Sequence, residues 1–218
     1  MLFRSSKEEY DLFIVASYGK IISQDIIELP KHKTLNVHPS LLPKLRGASP
    51  IQTAILQENL TGVTIMRMDE KMDHGPVVDQ KEIISWTTET TPTAEKLESL
   101  LAHEGGKLLA EVIPEWVAGN ISEQEQDHDN ATFTQKLTKQ DGLIDLSDDQ
   151  ETNFRKIQAF RVWPKPHFFI EHAGKKKRVI ITDAQISDEG LEIKRVLPEG
   201  SKEIPFDDFK KGYSFTLE

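Results

Sequence analysis

The chain has 218 residues, of which 37% are hydrophobic and 29% charged, a composition typical of a soluble globular protein with one or two domains. It contains no cysteine, which excludes disulfides, thiolate nucleophiles and cysteine-based zinc sites. No apolar run approaches the roughly 20 residues of a membrane helix, and the first residues lack the apolar core of a signal peptide. We therefore expect a cytoplasmic protein that does not associate with membranes.

The net charge of −9 argues weakly against a dedicated nucleic-acid-binding protein. Residues 132–218 carry fifteen basic and fifteen acidic side chains, so the whole acidic excess lies in residues 1–131. The later part also contains basic clusters at 175–178 and 210–211. Such a cluster is usually a solvated surface, and contact with phosphates is the alternative.

The first part of the chain predicts short strands alternating with helices. The apolar run at 11–18, which ends at Gly19, is typical of a buried parallel strand. Ser49 and Pro50 are a cap and a first-turn residue that favour a helix start. In chain order the predicted elements are a strand at 11–18, a helix at 24–29, a strand at 34–37, a helix at 51–57, and strands at 61–69 and 76–84.

The second part of the chain changes character. From Thr93, leucines at helical spacing predict a long amphipathic helix, which Gly105 and Gly106 weaken and Pro114 kinks or ends. The polar segment 118–131 is typical of an interdomain linker. Beyond it, one helix and several short strands separated by Gly and Pro indicate a small barrel. These elements are a helix at 150–161 and strands at 163–170, 178–187, 190–198 and 213–218.

The run Asn36-Val37-His38 comes at the end of a predicted strand. The carboxyl ends of strands face the ligand crevice in open α/β sheets, and alternate residues of a strand share one face. Asn36 and His38 can therefore point at the same substrate atom. An amide and an imidazole are suitable donors to a developing oxyanion, and the imidazole can also move protons near neutral pH. Local structural hydrogen bonding is the alternative role.

Asp73 lies in a predicted turn, in the sequence KMDHGPVV. A carboxylate next to an imidazole favours its protonated form and orients the ring. An ordinary turn residue is the alternative, because Asp is common in such turns. Sequence separation alone leaves open whether Asp73 meets His38.

Several segments, in order, resemble those of methionyl-tRNA formyltransferases, a family of folate-dependent formyltransferases. The segments are SYGKII (17–22), NVHPSLLPKLRGASPIQ (36–52), TGVTIMRMDEKMDHGPVV (61–78), and KLTKQDGLIDLS followed by QAFRVWPKP (136–166). The resemblance implies an α/β fold in which a partial Rossmann-like, parallel-sheet formyltransferase domain (1–117) is joined by a linker (118–131) to a small OB-like β-barrel (132–218).

The resemblance also implies roles for individual residues. The catalytic residues matched are Asn36, His38 and Asp73. The residues matched to the folate site are Ser17, Tyr18, Gly19, Ile21, Ser40, Leu41, Leu42 and Pro43. For tRNA we expect contacts from Arg46, Lys175, Lys176, Lys177 and Arg178. The implied reaction moves a formyl group from 10-formyltetrahydrofolate to the amine of methionyl initiator tRNA, without a metal, and we expect a monomer.

Family members carry further strand and helix units before the segment that matches SYGKII. We therefore expect an N-terminally truncated catalytic domain whose strands leave apolar edges exposed. Two alternatives remain at this point. One is a related formyltransferase that acts on a nucleotide sugar or another amine, and the other is a non-catalytic remnant that binds folate or tRNA.

Overall fold

The computed structural model describes residues 9–172 and 174–213. Its strands are β1 (Phe13–Ala16), β2 (Thr34–His38), β3 (Arg46–Gly47), β4 (Leu60–Arg67), β5 (Val77–Ser85), β6 (Phe133–Thr134), β7 (His167–His172), β8 (Lys175–Ser187), β9 (Gly190–Pro198) and β10 (Ile204–Pro205). Its α-helices are α1 (Gln24–Ile27), α2 (Pro50–Gln57), α3 (Ala94–Val117), α4 (Gln150–Ala159) and α5 (Phe206–Gly212). The strand predicted at 213–218 falls, apart from Tyr213, outside these residues. None of the described helices is both long and apolar enough to cross a bilayer.

The chain forms two compact units and passes between them more than once. The first unit comprises Met1–Pro50, Leu60–Ile84 and Ser99–Gln135. The second comprises Ile51–Asn59, Ser85–Glu98 and Lys136–Glu218. The boundaries expected from the sequence, at 117/118 and 131/132, stay a prediction.

The first unit is built on a four-stranded sheet in the order β1-β2-β4-β5. β1 and β2 pair in parallel, whereas β2 and β4 pair antiparallel. The prediction of a parallel sheet is therefore right for the first pair and wrong for the second, because hydrophobic patterns look the same in either strand direction. Within the described residues β1 is an outer strand, and Ile14 is 41% exposed. The prediction that this strand is buried is wrong, since an outer strand has a neighbour on one side only.

Helix α3 approaches the sheet closely at Gly105, next to Val37 of β2 and Val63 of β4. A Cβ atom added to Gly105 would lie 2.8 Å from Cγ1 of Val37, so the glycine allows a close approach of helix and strand. The helix does not end at Pro114, as one predicted outcome had it, but continues to Val117. Proline lacks an N–H donor and crowds the preceding turn, but the carbonyl oxygen of Pro114 still accepts from the amide of Ala118 at 3.0 Å, so the hydrogen bonding continues past it.

Alanine at two adjacent helix positions is expected to have opposite effects. A Cβ at Gly106 meets nothing within 4 Å, so Gly106→Ala should raise the free energy of unfolding by about 0.5–1 kcal/mol through helix propensity. Gly105→Ala gains the same propensity but crowds Val37, and it should be less stable than Gly106→Ala by about 1–3 kcal/mol. Urea unfolding of the two variants measures the difference. Equal stabilities would contradict the close helix–strand contact.

The second unit contains an antiparallel sheet in the order β10-β9-β8-β7. Its core lies between this sheet, α4 and α5, and includes Ile157, Phe168, Val179, Val196 and Phe209. β7 and β10 are the two outer strands of this sheet within the described residues, so the sheet is open there.

Helix α5 was not predicted from the sequence. Its first turn carries Asp207 and Asp208, and its last turn carries Lys210 and Lys211, which is the charge order that favours a helix. The two lysines form ion pairs with these aspartates, at 2.7 and 3.3 Å. The basic cluster noted at 210–211 is therefore balanced within its own helix.

Arg155 explains why residues 51–59 belong to the second unit. This residue of α4 donates hydrogen bonds to the carbonyl oxygens of Ile55 and Glu58, at 3.2 and 2.8 Å, and to the side-chain oxygen of Asn59, at 2.6 Å. Carbonyl groups at the end of a helix have no partner within the helix. The guanidinium group of α4 therefore caps the end of α2.

Candidate active site

The side chains of Asn36 and His38 lie on the face of β2 opposite Val37, as the strand alternation predicts. Asn36 is partly buried, and among the described residues its amide has no hydrogen-bond partner. His38 is 4% exposed and is the last residue of the strand. An amide with unused donors and a buried imidazole therefore stand side by side at the strand end.

Both ring nitrogens of His38 have a partner. Nε2 lies 3.1 Å from the carbonyl oxygen of Leu45, and because a carbonyl oxygen only accepts, Nε2 is the donor in this contact. Nδ1 lies 3.6 Å from Oδ1 of Asp73, which is too long for a good hydrogen bond but short enough for an ion pair. In the neutral ring Nδ1 therefore carries no proton, and its lone pair faces the carboxylate of Asp73. A proton that arrives at Nδ1 would be stabilised by Asp73.

The sequence left the meeting of Asp73 and His38 open, and the structure brings the two together. Asp73 occupies the connection between β4 and β5 with a φ of 50°, a left-handed conformation that Asp tolerates better than most residues. Its Oδ2 accepts a hydrogen bond from the amide of Gly47 at 2.7 Å. One carboxylate oxygen is thus held by the main chain while the other faces the imidazole.

Burial lowers the pKa of His38 below its usual value of 6.5. Asp73 and the bond to Leu45 raise this pKa, and the nearby positive charge of Arg46 lowers it further. Because burial is the largest of these influences, the resting imidazole is neutral near pH 7. A neutral imidazole can accept a proton, which is what a general base requires.

Acid is expected to destabilise the folded chain through His38. In the unfolded chain the imidazole recovers its usual pKa, so as the pH falls below about 6.5 the unfolded chain binds a proton that the folded chain resists. The free energy of unfolding should therefore decrease over that range, and His38→Gln should lose less stability than the wild type between about pH 7.5 and about pH 5.5. Denaturant unfolding over this pH series tests the difference. An identical pH dependence of stability in the two proteins would contradict this effect of the His38 imidazole.

The predicted folate residues Ser40–Pro43 form a loop that polar side chains of neighbouring strands hold in place. Oγ1 of Thr64 donates to the carbonyl oxygen of Ser40 at 2.6 Å and accepts from the amide of Leu42 at 3.1 Å. Nε2 of Gln80 donates to the carbonyl oxygen of Leu42 at 2.8 Å. Ser40 and Leu42 are almost completely buried, whereas Leu41 and Pro43 are partly exposed. Leu41 and Pro43 are therefore the members that a ligand can reach.

The other predicted folate residues, Ser17, Tyr18, Gly19 and Ile21, follow the end of β1. β1 and β2 are parallel, with Ala16 paired to Val37, so both strands end at the same edge of the sheet. Tyr18 is 54% and Ile21 92% exposed. This segment is available to a ligand at the sheet edge where His38 lies.

A cavity of about 270 Å³ in the first unit was not predicted from the sequence. Its walls include Ile27, Lys33, Met68, Asp69 and His74. His74 follows Asp73 directly in the chain, and its Nδ1 lies 2.7 Å from Oδ2 of Asp69. Among the described residues no group of three or more His, Asp or Glu side chains is placed to hold a metal ion.

Lys175–Arg178, predicted to contact tRNA, lie in the second unit at the start of β8. Lys175, Lys176 and Arg178 are exposed, while Lys177 is partly exposed. Nζ of Lys176 lies 4.5 Å from the ring centre of Phe169, an aromatic residue that is itself 42% exposed. The cluster is therefore accessible to an anionic partner.

Arg46, also predicted to contact tRNA, differs from this cluster. It is 3% exposed, and its guanidinium group donates to Oε1 of Gln126 and to Nδ1 of His128. Little of its surface is left to a phosphate in this arrangement. Gln126 and His128 were not singled out in the sequence, because the polar composition of 118–131 is the same for a linker as for a packed loop.

Comparison with known proteins identifies the family of this chain. The model of the formyl transferase family matches residues 4–113. The methionyl-tRNA formyltransferase of Sulfurihydrogenibium sp. is 41% identical over 160 residues, which are 72% of this chain and 50% of that protein. The methionyl-tRNA formyltransferase of Acidobacterium capsulatum is 34% identical over 95% of this chain and 73% of that protein. The chain spans about half the length of the first curated relatives that it matches. For two of them the matched region covers 50% of the relative.

Solved structures share the fold at lower identity. HypX from Aquifex aeolicus, in complex with tetrahydrofolic acid, superposes with a TM-score of 0.67 at 19% identity, over 91% of this chain and 38% of that one. An N-formyltransferase from Helicobacter canadensis, in complex with folinic acid and dTDP-3-aminofucose, gives a TM-score of 0.63 at 20% identity, over 78% and 60% of the two chains. Sequence relatives and fold agree, and the chain belongs to the formyl transferase family, with the methionyl-tRNA formyltransferases.

Proposed function

We propose that the chain takes part in the transfer of a formyl group from 10-formyltetrahydrofolate to the amino group of methionyl initiator tRNA. The observation that carries this proposal is the His38–Asp73 pair, which stands next to Asn36 at the end of β2. The names of the curated relatives support methionyl-tRNA as the acceptor. The proposal places a monomer in the cytoplasm and needs no metal.

In the proposed reaction the amine nitrogen attacks the formyl carbon, and the carbonyl electrons move to the formyl oxygen. The amide of Asn36 donates to this oxyanion. Nδ1 of His38 takes the proton that the attacking amine loses, and Asp73 stabilises the resulting imidazolium. The carbon–nitrogen bond to the folate then breaks, and the leaving nitrogen receives the proton from His38. The formyl oxygen returns to a carbonyl, so atoms and charges balance.

The folate is proposed to lie along the sheet edge formed by the ends of β1 and β2. In this proposal Ser17, Tyr18, Gly19 and Ile21, which follow β1, contact the folate on one side. The loop Ser40–Pro43, which follows β2, contacts it on the other. The buried members of that loop, Ser40 and Leu42, contribute through the shape of the main chain, because their side chains are enclosed. The second unit is proposed to be the core of an OB-like domain that contacts tRNA.

One assay separates the candidate functions. The purified chain is incubated with 10-formyltetrahydrofolate and either methionyl initiator tRNA or a nucleotide-linked amino sugar, with His38→Ala as the inactive control. Formylmethionine formed by the wild type alone supports the proposal. Formylation of the sugar only would favour the alternative suggested by the complex of the Helicobacter canadensis enzyme. Folate binding without turnover of either acceptor would identify a binding protein, and an absence of folate binding would contradict all three.

Contacts between tRNA phosphates and the cluster Lys175–Arg178 are expected to make binding dependent on salt. Each phosphate contact that is lost should reduce the slope of log affinity against log salt by about one. The double variant Lys176→Ala/Arg178→Ala should therefore reduce the slope by about two and weaken binding at low salt. Lys202→Ala, which removes another exposed cation of the second unit, should leave the slope unchanged. A slope that is equal in all three proteins would exclude this cluster.

A further inference from the structure

The segment Leu45–Gly47 holds both members of the His38–Asp73 pair through its main chain. The carbonyl oxygen of Leu45 accepts from His38, at 3.1 Å, and the amide of Gly47 donates to Asp73, at 2.7 Å. Arg46 lies between these two contacts in the chain. A distortion of this three-residue segment would therefore change the position of the imidazole relative to the carboxylate.

Gln126 joins the side chain of Arg46 to the turn that carries Asp73. Its Oε1 accepts from Nε and Nη2 of Arg46, at 3.1 and 2.6 Å. Its Nε2 donates to the carbonyl oxygens of Asp73 and Gly75, at 3.0 and 2.6 Å. Gln126 is 6% exposed, and both the oxygen and the nitrogen of its side-chain amide form hydrogen bonds within the protein. The contacts close a ring that runs from Asp73 through Gly47, Arg46 and Gln126 back to Asp73.

The segment around residues 128–134 completes the support of Arg46. A guanidinium group only donates, so Nδ1 of His128, at 2.9 Å from Nη2, is the acceptor and the ring proton sits on Nε2. The ring of His128 stacks on that of His74, with centres 4.1 Å apart and planes 9° apart. The amide of Arg46 itself donates to the carbonyl oxygen of Thr132 at 2.9 Å. The main chain and the side chain of Arg46 are thus both fixed.

Gly47 leaves this arrangement little freedom. Its φ is 114°, in the region that favours glycine, and a Cβ atom there would lie 2.7 Å from the carbonyl oxygen of Thr134. The short parallel pairing of β3 with β6 therefore brings the two main chains so close that only glycine fits at this position. The amide of this glycine donates to Asp73.

We propose that Arg46 and Gln126 are positioning residues for the reaction, because they fix the Leu45–Gly47 main chain and the Asp73 turn that together hold the His38–Asp73 pair. The inference rests on the proposed function for its kinetic consequence. In this role neither residue contacts the reacting atoms. The burial of Arg46 fits this role and not the phosphate contact expected from the sequence.

The test combines kinetics with a spectroscopic readout of His38 in the free chain. Arg46→Lys keeps the charge but loses the fork that spans Gln126 and His128. We expect kcat for formyl transfer to fall about 10- to 100-fold, while KM for the folate stays within about threefold. In histidine-labelled protein, the ¹⁵N signals of His38 should no longer report a single Nε2-protonated ring. The matched control Glu123→Gln lies in the same segment, where Glu123 pairs with Arg67, and it should change neither readout.

The NMR readout separates this inference from the proposed function. Altered His38 signals in folded Arg46→Lys support the positioning role even if the chain transfers no formyl group. Unchanged signals together with unchanged kcat, in a variant that is folded, would overturn it. Should Arg46→Lys fail to fold, Gln126→Glu takes its place, because it keeps the acceptor for Arg46 and removes both donations to the Asp73 turn. The same changes are expected there, and their absence in folded Gln126→Glu likewise overturns the inference.

Discussion

His38→Ala is expected to reduce kcat for formyl transfer by about 10²- to 10⁴-fold. In the proposed reaction the imidazole carries a proton between the attacking amine and the leaving folate nitrogen, and Asp73, which faces Nδ1, stabilises the protonated ring. Alanine also leaves the carbonyl oxygen of Leu45 without its donor. Steady-state kinetics of the purified variant, compared at equal folded concentration, measures the effect.

The control for this substitution is His103→Ala, on the exposed side of α3. It should keep wild-type kcat and wild-type folate affinity. A His38→Ala variant that retained more than about a tenth of the wild-type kcat would show that the proton moves by another route, because general acid–base catalysis contributes at least about 100-fold.

Asn36→Ala is expected to lower kcat by about 10²- to 10³-fold and to leave KM for the folate nearly unchanged. The amide of Asn36 has no protein partner among the described residues, so its removal breaks no internal hydrogen bond there. In the proposed reaction its amide donates to charge that develops only during the reaction. The loss should therefore appear in the chemical step and not in the stability of the chain.

Two measurements distinguish this role from a structural one. The melting temperature of Asn36→Ala should stay close to that of the wild type, since the pairing of β2 with β1 and β4 uses main-chain atoms. Asn120→Ala, at an exposed asparagine whose amide donates to Glu115, serves as the matched control and should keep full activity. If the activity loss of Asn36→Ala were matched by an equal loss in the fraction of folded protein, Asn36 would be structural.

The local chemistry of the candidate site could be predicted from the sequence, because it follows from short-range rules. Strand alternation places Asn36 and His38 on one face, and the structure has them there. The turn position of Asp73 was also predicted, but its contact with His38 depends on how β4 and β5 join. That connection is tertiary, and no local pattern encodes it.

Other features of the site had no local signal. Gln126 lies in a polar run, and a polar run is equally compatible with a solvated linker and with a loop whose amides are used internally. The antiparallel direction of β4 relative to β2 could not be predicted either, because hydrophobic periodicity is the same for both strand directions. Helix α5 does have a local signal, since acidic residues occupy its first turn and basic residues its last turn, but two adjacent lysines are equally typical of a basic surface cluster.

The cap that Arg155 provides has a consequence for dissecting the chain. A fragment cut at the polar run and starting at residue 132 would contain α4 but none of its partners Ile55, Glu58 and Asn59. Its guanidinium group would lose three acceptors, and the face of α4 around it would be open to water. Separate expression of residues 132–218 is therefore a poor route to testing the proposed affinity for tRNA. A circularly permuted chain that joins residues 51–59 covalently to this part, or a split version that supplies them in trans, is the better design.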